Sequence, residues 1–440
     1  MSRQTALQIL QRVENDTAYS NITLDSMLSK SNLSKRDTAF VTNIFYGVIE
    51  KKLLLDYNLS LFSKQSIYKI DKTVLMIMRM GLYQIFFMDK VPNSAAVNES
   101  VKLCKANNLY SAASYVNGVL RSAIRSGGLN YPDKRKGKNK YLSIKYSCPE
   151  EIIKLWRQSY GEENTIGILE SLDGRPPLTA RVNTTKISPS ELKEAFIHDG
   201  ISVHDSEILE NALLLENTGS VERLSQYRDG LFHIQDTASQ ICCELLKPLE
   251  NHTVLDVCSA PGGKTFTLAE IMNNKGKIIS CDLYDSRLNL VADGAKRLSL
   301  DIVSTKECDA AKVNDLPMAA RVLCDVPCSG LGIIRRKPEL KYKNEIGLDT
   351  LPDLQYLILC NCSRFVKSGG ILIYSTCTLN PAENNLNVIR FLNEHEDFEP
   401  FEIELPKNIK RGYDENKNEL TLFPHINNTD GFFISAFRRK

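Results

Sequence analysis

Residues 253–272 have the sequence TVLDVCSAPGGKTFTLAEIM, and this stretch decides the fold predicted for the C-terminal half of the chain. Val254, Leu255 and Val257 form a short apolar run, Pro261-Gly262-Gly263 interrupt it, and residues 266–272 resume the apolar pattern at helical spacing. This order predicts a buried strand, a glycine turn and the start of a helix. Because glycines admit a ligand to the backbone and a helix N-terminus offers unpaired N–H donors, we expect a ligand at the turn.

Three interpretations of this turn are open: an ordinary βα loop, a phosphate-binding P-loop, and the nucleoside pocket of an S-adenosylmethionine enzyme. The ending Gly263-Lys264-Thr265 suits a P-loop, but Cys258 stands at the first glycine position. A nucleoside pocket requires an acidic residue after the next strand to bind the ribose hydroxyls. Asp282 ends the next apolar run, 19 residues after Gly263, close to the roughly 20 expected of a Rossmann-type unit. The sequence therefore favours the nucleoside pocket.

The composition is that of an ordinary globular protein. The chain has 440 residues, 42% of them hydrophobic and 25% charged, which suggests two or three domains. It contains no apolar run near the roughly 18 residues of a membrane helix, and residues 1–11 lack the pattern of a signal peptide. We therefore expect a cytosolic protein with no membrane partner.

The twelve cysteines indicate reduced thiols, because a cytosolic chain has no use for a disulfide framework. The close pairs are Cys242-Cys243, Cys324/Cys328 and Cys360/Cys362, and none has C-x-x-C spacing. The six histidines do not cluster near them, so we expect no metal site.

Charge is distributed unevenly along the chain. Residues 1–150 hold 22 Lys and Arg against 11 Asp and Glu, a net charge of +11, so the remainder carries −9 of the total of +2. A basic N-terminal third suggests a polyanion such as nucleic acid as partner. Part of the excess lies in residues 134–140, which a solvated linker would explain equally well.

The first 127 residues are predicted to be helical throughout. Apolar residues recur at helical spacing in residues 6–13, 41–48 and 112–120, and residues 94–104 continue this pattern after Pro92. Ser34 followed by Asp37 is a plausible capping box for the second of these helices. Residues 74–88 are apolar nearly all round, as expected of a helix at the centre of a bundle.

A basic, glycine-containing linker is predicted at residues 128–145, followed by a small α+β module at 146–230. Within the module we expect helices at 148–172 and 188–199 and strands at 179–184 and 213–215. Arg175 and Arg181 are candidate phosphate contacts, although surface salt bridges are the more common role of such residues.

The third domain is predicted at residues 231–440, where strands and helices alternate. Strands are expected at residues 278–281, 302–305, 322–325 and 371–374, which favours a doubly wound, Rossmann-like parallel sheet with ligands at the carboxyl ends of its strands. The last apolar run, residues 432–437, has no clear helix before it. It suits an antiparallel edge strand.

Two of these strand ends carry a cysteine. One has the sequence CDVPCSG at residues 324–330, and the other has STCT at residues 375–378. Both cysteines, Cys328 and Cys377, lie just beyond a buried strand on the side of the glycine turn, with Asp325 between them. A buried structural thiol is the alternative for each, and local context does not say which of the two is the nucleophile.

Four motifs, CSAPGGKT, CDLYDSRL, CDVPCSGLG and YSTCTLNPAENN, closely resemble those of RNA 5-methylcytosine methyltransferases of the RsmB (Sun, Fmu) and Nop2 type. The N-terminal stretches RDTAFVTNIFYGVIE, NSAAVNESVKLCK and YVNGVLRSAIR resemble the RNA-binding NusB fold, which within that group marks the bacterial RsmB branch. The resemblance spans nearly the whole chain. It implies a NusB-like helical domain, the α+β module and a class I methyltransferase domain.

The resemblance also implies a role for individual residues, each at the position that matches the family motif. The cofactor S-adenosyl-L-methionine would be bound by Cys258, Ser259, Ala260, Pro261, Gly262, Gly263 and Lys264, its ribose by Asp282 and its adenine beside Asp309. Asp325 would reach both the cofactor and the target base. Cys377 would be the nucleophile, and Cys328 would assist release of the methylated product.

The expected reaction is methylation of carbon 5 of a cytosine in 16S ribosomal RNA by a monomeric enzyme. Carbon 5 is a poor nucleophile, so a thiolate adds to carbon 6 and forms an enamine, which divides one hard step into two. An acid must support the ring, and a base must later remove the carbon 5 proton. The base must also leave the helical stack, which favours a single-stranded target.

Other functions are consistent with parts of the pattern. A P-loop NTPase would bind ATP tightly, and a non-catalytic NusB-like regulator would bind RNA with no cofactor dependence. A 5-methylcytosine methyltransferase could act on another RNA such as tRNA. Methyltransferases of amino groups need no cysteine, so Cys377 argues against them.

Overall fold

The computed structural model of the chain describes residues 1–15, 20–174, 176–342 and 349–440. Arg175 lies outside the described residues, so its expected role stays a prediction. The chain divides into two units, Met1–Gly161 with Arg336–Asn344, and Glu162–Arg335 with Glu345–Lys440. In the described part of the chain, no helix is both long and apolar enough to cross a membrane.

The first unit is helical, as its sequence predicts. Its helices are α1 (Ser2–Asn15), α2 (Ser20–Ser29), α3 (Lys35–Glu50), α4 (Lys52–Phe62), α5 (Lys72–Phe87), α6 (Asn93–Ala106), α7 (Ala113–Arg125), α8 (Lys138–Tyr146) and the first part of α9 (Glu150–Ser171). The chain is not helical at Gly161 within α9, where φ is 77°. Only glycine adopts such an angle readily, so the helix breaks at the residue where the first unit ends.

Helix α5 lies in the centre of this unit, and ten of its residues are buried. Two of its buried residues, Arg79 and Gln84, are polar, and Arg79, which is 5% exposed, pairs with Asp56 at 2.7 Å and Glu14 at 3.3 Å. The side chain of Ser34 accepts a hydrogen bond from the backbone N–H of Asp37 and caps α3. The Ser34 half of the expected capping box is therefore confirmed, whereas the Asp37 carboxylate accepts from the Ser34 hydroxyl at 2.6 Å. Helix α8 shows that the second half of the predicted linker is helical.

The second unit begins with a small antiparallel sheet. Its elements are β1 (Leu178–Val182), α10 (Pro189–His198), β2 (Ser202–Asp205), β3 (Ala212–Glu216), α11 (Ser225–Arg228) and β4 (Phe232–Ile234). The strand order is β2-β3-β1-β4, and α10 covers one face, with a core that includes Phe196 and Phe232. Strands β2 and β4 were not predicted from the sequence.

The prediction for Arg181 is wrong on both counts. It is only 1% exposed, so it is neither a phosphate contact nor a surface salt bridge. Its guanidinium group binds Glu244 at 2.8 Å and the fully buried Glu270 at 3.1 Å. Arg181 therefore ties the small sheet to the helices of the larger sheet that follows.

The remaining elements form the large sheet and its helices. They are α12 (Thr237–Leu246), β5 (Thr253–Asp256), α13 (Gly263–Ile271), β6 (Lys277–Asp282), α14 (Asp285–Leu298), β7 (Val303–Glu307), β8 (Ala319–Asp325), α15 (Leu351–Ser363), β9 (Val366–Thr376), α16 (Asn385–Glu394), β10 (Phe398–Pro400), β11 (Glu419–Leu422), α17 (Pro424–Asn427) and β12 (Phe432–Arg439). This confirms the predicted strand–turn–helix at residues 253–272 and the α/β class.

The strand order of the large sheet is β10-β12-β9-β8-β5-β6-β7, with β11 also paired to β12. Strands β7, β6, β5, β8 and β9 are parallel, and β12 is antiparallel to β9. Strand β12 is not the edge strand that the sequence suggested, because β10 and β11 pair with it on the side away from β9. Apolar clusters cover both faces of the sheet, as a doubly wound fold requires.

Replacing Arg181 with methionine should destabilise the second unit, because it leaves Glu270 buried without its cation. Breaking a buried pair from one side costs about 3–5 kcal/mol. We expect a loss of this size in urea unfolding. The exposed Arg228 lies in the same part of the chain, and its replacement by alanine should change stability by less than about 0.5 kcal/mol. Equal effects of the two changes would contradict a structural role for the Arg181 cluster.

Candidate active site

The carboxyl ends of the parallel strands meet at one edge of the large sheet. Asp256 ends β5, Asp282 ends β6 and Asp325 ends β8. Strand β9 ends at Thr376, so Cys377 follows it directly. The strand register aligns Asp325 with Ser375 across the β8–β9 pair. The fold therefore brings together strand ends that are up to 120 residues apart in sequence.

The glycine turn is anchored on the neighbouring strand. Ser259 donates two hydrogen bonds to the carbonyl of Cys281, from its backbone N–H at 2.8 Å and its hydroxyl at 3.0 Å. Gly262 has φ of 110°, and a Cβ at this position would lie 2.4 Å from the ring of Phe266. Glycine is thus required both for the backbone angle and for the space, and the turn delivers the N-terminus of α13 to the sheet edge.

A cavity of about 200 Å³ opens beside the turn. It is lined by Cys258, Ser259, Ala260, Pro261, Gly263, Lys264 and Asp325, all predicted from the sequence, and by Ile234, Gln235, Ser239 and Asp256, which were not. Three other residues predicted to bind the cofactor, Gly262, Asp282 and Asp309, are not among the described residues that line this cavity. The signal for Ile234, Gln235 and Ser239 was weak, since they precede the glycine turn by more than twenty positions, whereas Asp256 lies within the decisive stretch itself and its position at the end of the strand could have revealed it.

Two buried polar atoms on this cavity have no hydrogen-bond partner among the described residues: Nε2 of Gln235 and Oδ1 of Asp256. Gln235 is 6% exposed, and its carbonyl oxygen accepts from Thr267 at 2.6 Å, which leaves the amide N–H₂ free. The other oxygen of Asp256 accepts from Thr265 at 2.7 Å. Because unpaired buried polar groups are costly, a donor and an acceptor left open here fit a polar ligand.

Lys264 and Asp325 form an ion pair at the cavity, with Nζ 2.7 Å from Oδ2. Burial alone would lower the pKa of Lys264, but the Asp325 carboxylate and the nearby Cys242 thiol outweigh it and raise the pKa. The second oxygen of Asp325 accepts from Ser375 at 2.9 Å. This pair connects the glycine turn to the strand end before Cys328, a contact that the motifs did not predict.

Asp282 and Asp309 lie further along the same edge. Asp282 is 4% exposed and accepts three hydrogen bonds: from the N–H of Ala260 at 3.3 Å, from the N–H of Tyr284 at 3.3 Å and from Arg287 at 3.2 Å. An ionised carboxylate has about four acceptor sites, so capacity remains for another donor. Asp309 follows β7 by two residues and forms an exposed ion pair with Lys312 at 3.1 Å.

The two candidate cysteines face each other, with Sγ of Cys328 3.0 Å from Sγ of Cys377. Both are partly exposed. The hydrogen bond to Cys377, together with burial, raises the pKa of Cys328 well above its ordinary value. In the described residues, no three His, Cys, Asp or Glu side chains are grouped so as to hold a metal ion.

Three family models match successive parts of the chain: the NusB family at residues 1–125, an RsmF/B-like ferredoxin-like domain at 148–222, and the 16S rRNA methyltransferase RsmB/F at 243–438. A probable ribosomal RNA small subunit methyltransferase B of Bacillus subtilis is 36% identical, and the alignment covers 100% of this chain and 98% of the relative. The chain belongs to the RsmB/F family of 16S rRNA methyltransferases. The NusB-like and methyltransferase folds expected from the motifs are thereby confirmed.

One further relative and two solved structures are also similar to this chain. The corresponding Escherichia coli O1:K1 protein, named ribosomal RNA small subunit methyltransferase B, is 29% identical over 100% of this chain and 98% of its own length. The crystal structure of PH0851 has a TM-score of 0.82, with 26% identity over 100% of this chain and 98% of its own. The structure of NSun6 from Pyrococcus horikoshii with SFG shares the fold, with a TM-score of 0.60 and 24% identity over 66% of this chain and 98% of its own.

The buried Asp256 makes stability depend on pH. Burial raises its pKa from 3.8 to about 7, so between these values the folded state holds a proton that the unfolded state has lost. The resulting contribution of Asp256 to the free energy of unfolding is complete below about pH 4 and disappears as the pH rises through 7. For three pKa units this free energy falls by about 4 kcal/mol. Replacing Asp256 with asparagine should remove this fall from urea unfolding curves measured between pH 4 and 8.

The exposed Asp293 on α14 provides the control for this titration. Its change to asparagine should leave the pH dependence of the unfolding free energy as in the unaltered protein. A pH dependence that survives in the Asp256→Asn protein would show that another group is responsible.

Proposed function

We propose that this protein uses S-adenosyl-L-methionine to methylate carbon 5 of a specific cytosine in 16S ribosomal RNA, through a covalent bond between Cys377 and carbon 6. The observation that carries the proposal is the pair of facing thiols 3.0 Å apart, on the loops that follow β8 and β9. Asp325, which ends β8, lines the cavity. The family name and the names of the relatives support small-subunit ribosomal RNA as the substrate.

The residues around the cavity fit the proposed cofactor. The open amide of Gln235 and the open oxygen of Asp256 provide one donor and one acceptor, which suits a ligand that carries both a carboxylate and an amino group. Asp282 has acceptor capacity for ribose hydroxyls at the next strand end, and Asp309 lies beyond it. When bound, S-adenosyl-L-methionine supplies an electrophilic methyl group.

Cys377 attacks first. Its thiolate forms a bond to carbon 6 of the cytosine, and the electron pair of the 5,6 double bond moves so that carbon 5 becomes nucleophilic. The proton that Cys377 gives up as it attacks passes to Asp325, which shares it with ring nitrogen 3. Since Ser375 and Lys264 both bind the Asp325 carboxylate, it is held in position at the cavity.

Product release follows methylation of carbon 5. The carbon 5 proton passes to water, the bond between sulfur and carbon 6 breaks, and Cys377 leaves as a thiolate. Cys328 carries a proton that it donates in a hydrogen bond to the departing sulfur, because its pKa is raised. A thiol at this position therefore favours release and does not take part in attack.

The N-terminal unit and the small sheet would present the RNA. Residues 1–150 carry a net charge of +11, which suits a phosphate backbone, and residues 1–125 match the NusB family. The domain boundaries predicted from the sequence, at 127, 145 and 230, remain part of this proposal. A monomeric enzyme in the cytosol is the simplest arrangement for such a substrate.

Replacing Asp282 with alanine should weaken S-adenosyl-L-methionine binding. Loss of hydrogen bonds to a charged group costs about 1.5–3 kcal/mol, so the dissociation constant should rise roughly 10- to 100-fold. Isothermal titration calorimetry measures this directly, and Asp293→Ala should bind as tightly as the unaltered protein. Tight binding of ATP with no response to S-adenosyl-L-methionine would contradict the proposed cofactor.

The two cysteines should fail in different ways. Cys377→Ala should abolish both methylation and any covalent complex with RNA, since no bond to carbon 6 can form. Cys328→Ala should still attack and then retain the RNA, giving a slow band on a denaturing gel that the double variant lacks. Bisulfite sequencing of 16S ribosomal RNA after incubation with each protein reports methylation and its position.

Cys360 is a partly exposed thiol on α15 and provides the control. Cys360→Ala should methylate and release normally. A covalent complex that is lost in Cys328→Ala and trapped in Cys377→Ala would reverse the two roles, and methylation by Cys377→Ala would contradict the covalent mechanism.

A further inference from the structure

The loops that carry Cys328 and Cys377 meet at one buried carboxylate, that of Glu383, which is 0% exposed. It accepts four hydrogen bonds: Oε1 from the Ser329 hydroxyl at 2.5 Å and the Asn380 amide at 2.9 Å, and Oε2 from the Ser329 N–H at 2.9 Å and the Gln355 amide at 2.8 Å. All four donors are neutral. Since an ionised carboxylate only accepts hydrogen bonds, this arrangement satisfies it as an anion.

These bonds restrain the peptide on both sides of Cys328. Ser329 follows Cys328 and gives Glu383 both its N–H and its hydroxyl. Gln355, on α15, donates both to Glu383 and to the carbonyl of Pro327 at 2.9 Å. The position of Cys328 is therefore set by contacts that converge on a single side chain.

The same carboxylate holds the other loop. Asn380, three residues after Cys377, donates to it directly. The hydroxyl of Thr378, which follows Cys377, lies 2.7 Å from the hydroxyl of Ser329, itself bound to Glu383. Without the carboxylate, the buried donors from both loops would lose their common acceptor, which is costly.

The charge of Glu383 acts on the Cys328 thiol. The pKa of Cys328 is raised by its hydrogen bond to Cys377, by burial, by the charge on Cys377 and by the charge on Glu383. A proton shared by the two thiols is therefore favoured on Cys328, which lies beside the anchored Ser329.

We propose that Glu383 is a positioning residue for the cysteine pair: it holds the two loops at their 3.0 Å sulfur separation and keeps the proton on Cys328, leaving Cys377 free to react. This role rests on the proposed function in that Cys377 is the nucleophile. Glu383 itself does not contact the reacting atoms. It acts through the loops on either side of it.

Alkylation of the free protein with iodoacetamide tests this role without RNA or cofactor. Mass spectrometry of tryptic peptides gives the rate at Cys328 and at Cys377 separately, as a function of pH. In the unaltered protein Cys377 should react faster. In Glu383→Gln, loss of the negative charge should move the reaction of Cys328 to lower pH by about one unit and reduce the preference for Cys377 roughly tenfold.

Two further variants keep the test decisive. Ser329→Ala removes the hydroxyl that joins Glu383 to Thr378 but keeps the charge of Glu383. By loosening the contact between the two loops it should reduce the preference for Cys377 without moving the reaction of Cys328 to lower pH, which decides the question if Glu383→Gln does not fold. Glu419→Gln changes another buried carboxylate of the same unit, 2% exposed and bound to Asn416 at 3.1 Å. It should leave the preference unchanged.

The outcomes separate this role from the proposed function. An unchanged preference for Cys377 in folded Glu383→Gln or Ser329→Ala protein would overturn the role of Glu383, even if the enzyme methylates RNA as proposed. A changed preference in those variants, with Glu419→Gln unaffected, supports it even if the substrate RNA proves to be different. An equal change in Glu419→Gln would show a general loss of packing and also overturn the proposal.

Discussion

The candidate site depends on the parallel position of β8 between β5 and β9. Pairing with β5 brings Asp325 next to the glycine turn, where Lys264 reaches it at 2.7 Å. Pairing with β9 places Asp325 opposite Ser375, so the loops that follow the two strands bring Cys328 to Cys377. A shift of one residue in either register would turn Asp325 or its partner to the other face of the sheet and separate these groups.

Buried charge then organises what the sheet brings together. The Lys264–Asp325 pair links the cavity to the loop that carries Cys328, and Glu383 links that loop to the one that carries Cys377. The carboxylates of Asp325 and Glu383 both have donors that satisfy them, which limits the cost of keeping a charge away from water. Asp256 differs: one of its oxygens has no hydrogen-bond partner among the described residues, and its pKa is about 7. This oxygen lies on the cavity, where a ligand could supply the missing donor.

The sequence predicted those parts of the fold that local patterns determine. The glycine turn, the central helix α5 and the cysteines after β8 and β9 each follow from a short run of residues, and all are found where expected. The sequence did not predict partners that are distant along the chain. Arg181 looked like a surface cation because nothing near it in sequence reveals Glu270, 89 residues away. Gln235 was missed for the same reason, and β12 was assigned to the edge because β10 and β11 are only three and four residues long.

The choice between the two cysteines shows where local reasoning stops. Both follow a buried strand, both are partly exposed, and their sulfur atoms are each other's neighbours, so exposure and distance do not distinguish them. What differs is the peptide next to each. Ser329 anchors the Cys328 loop directly on a buried anion through two hydrogen bonds, whereas Cys377 is followed by Thr378, which reaches that anion only through Ser329. An anion disfavours a second negative charge beside it. In the proposed mechanism, the loop with the tighter hold on Glu383 therefore carries the thiol that keeps its proton, and the other loop carries the proposed nucleophile.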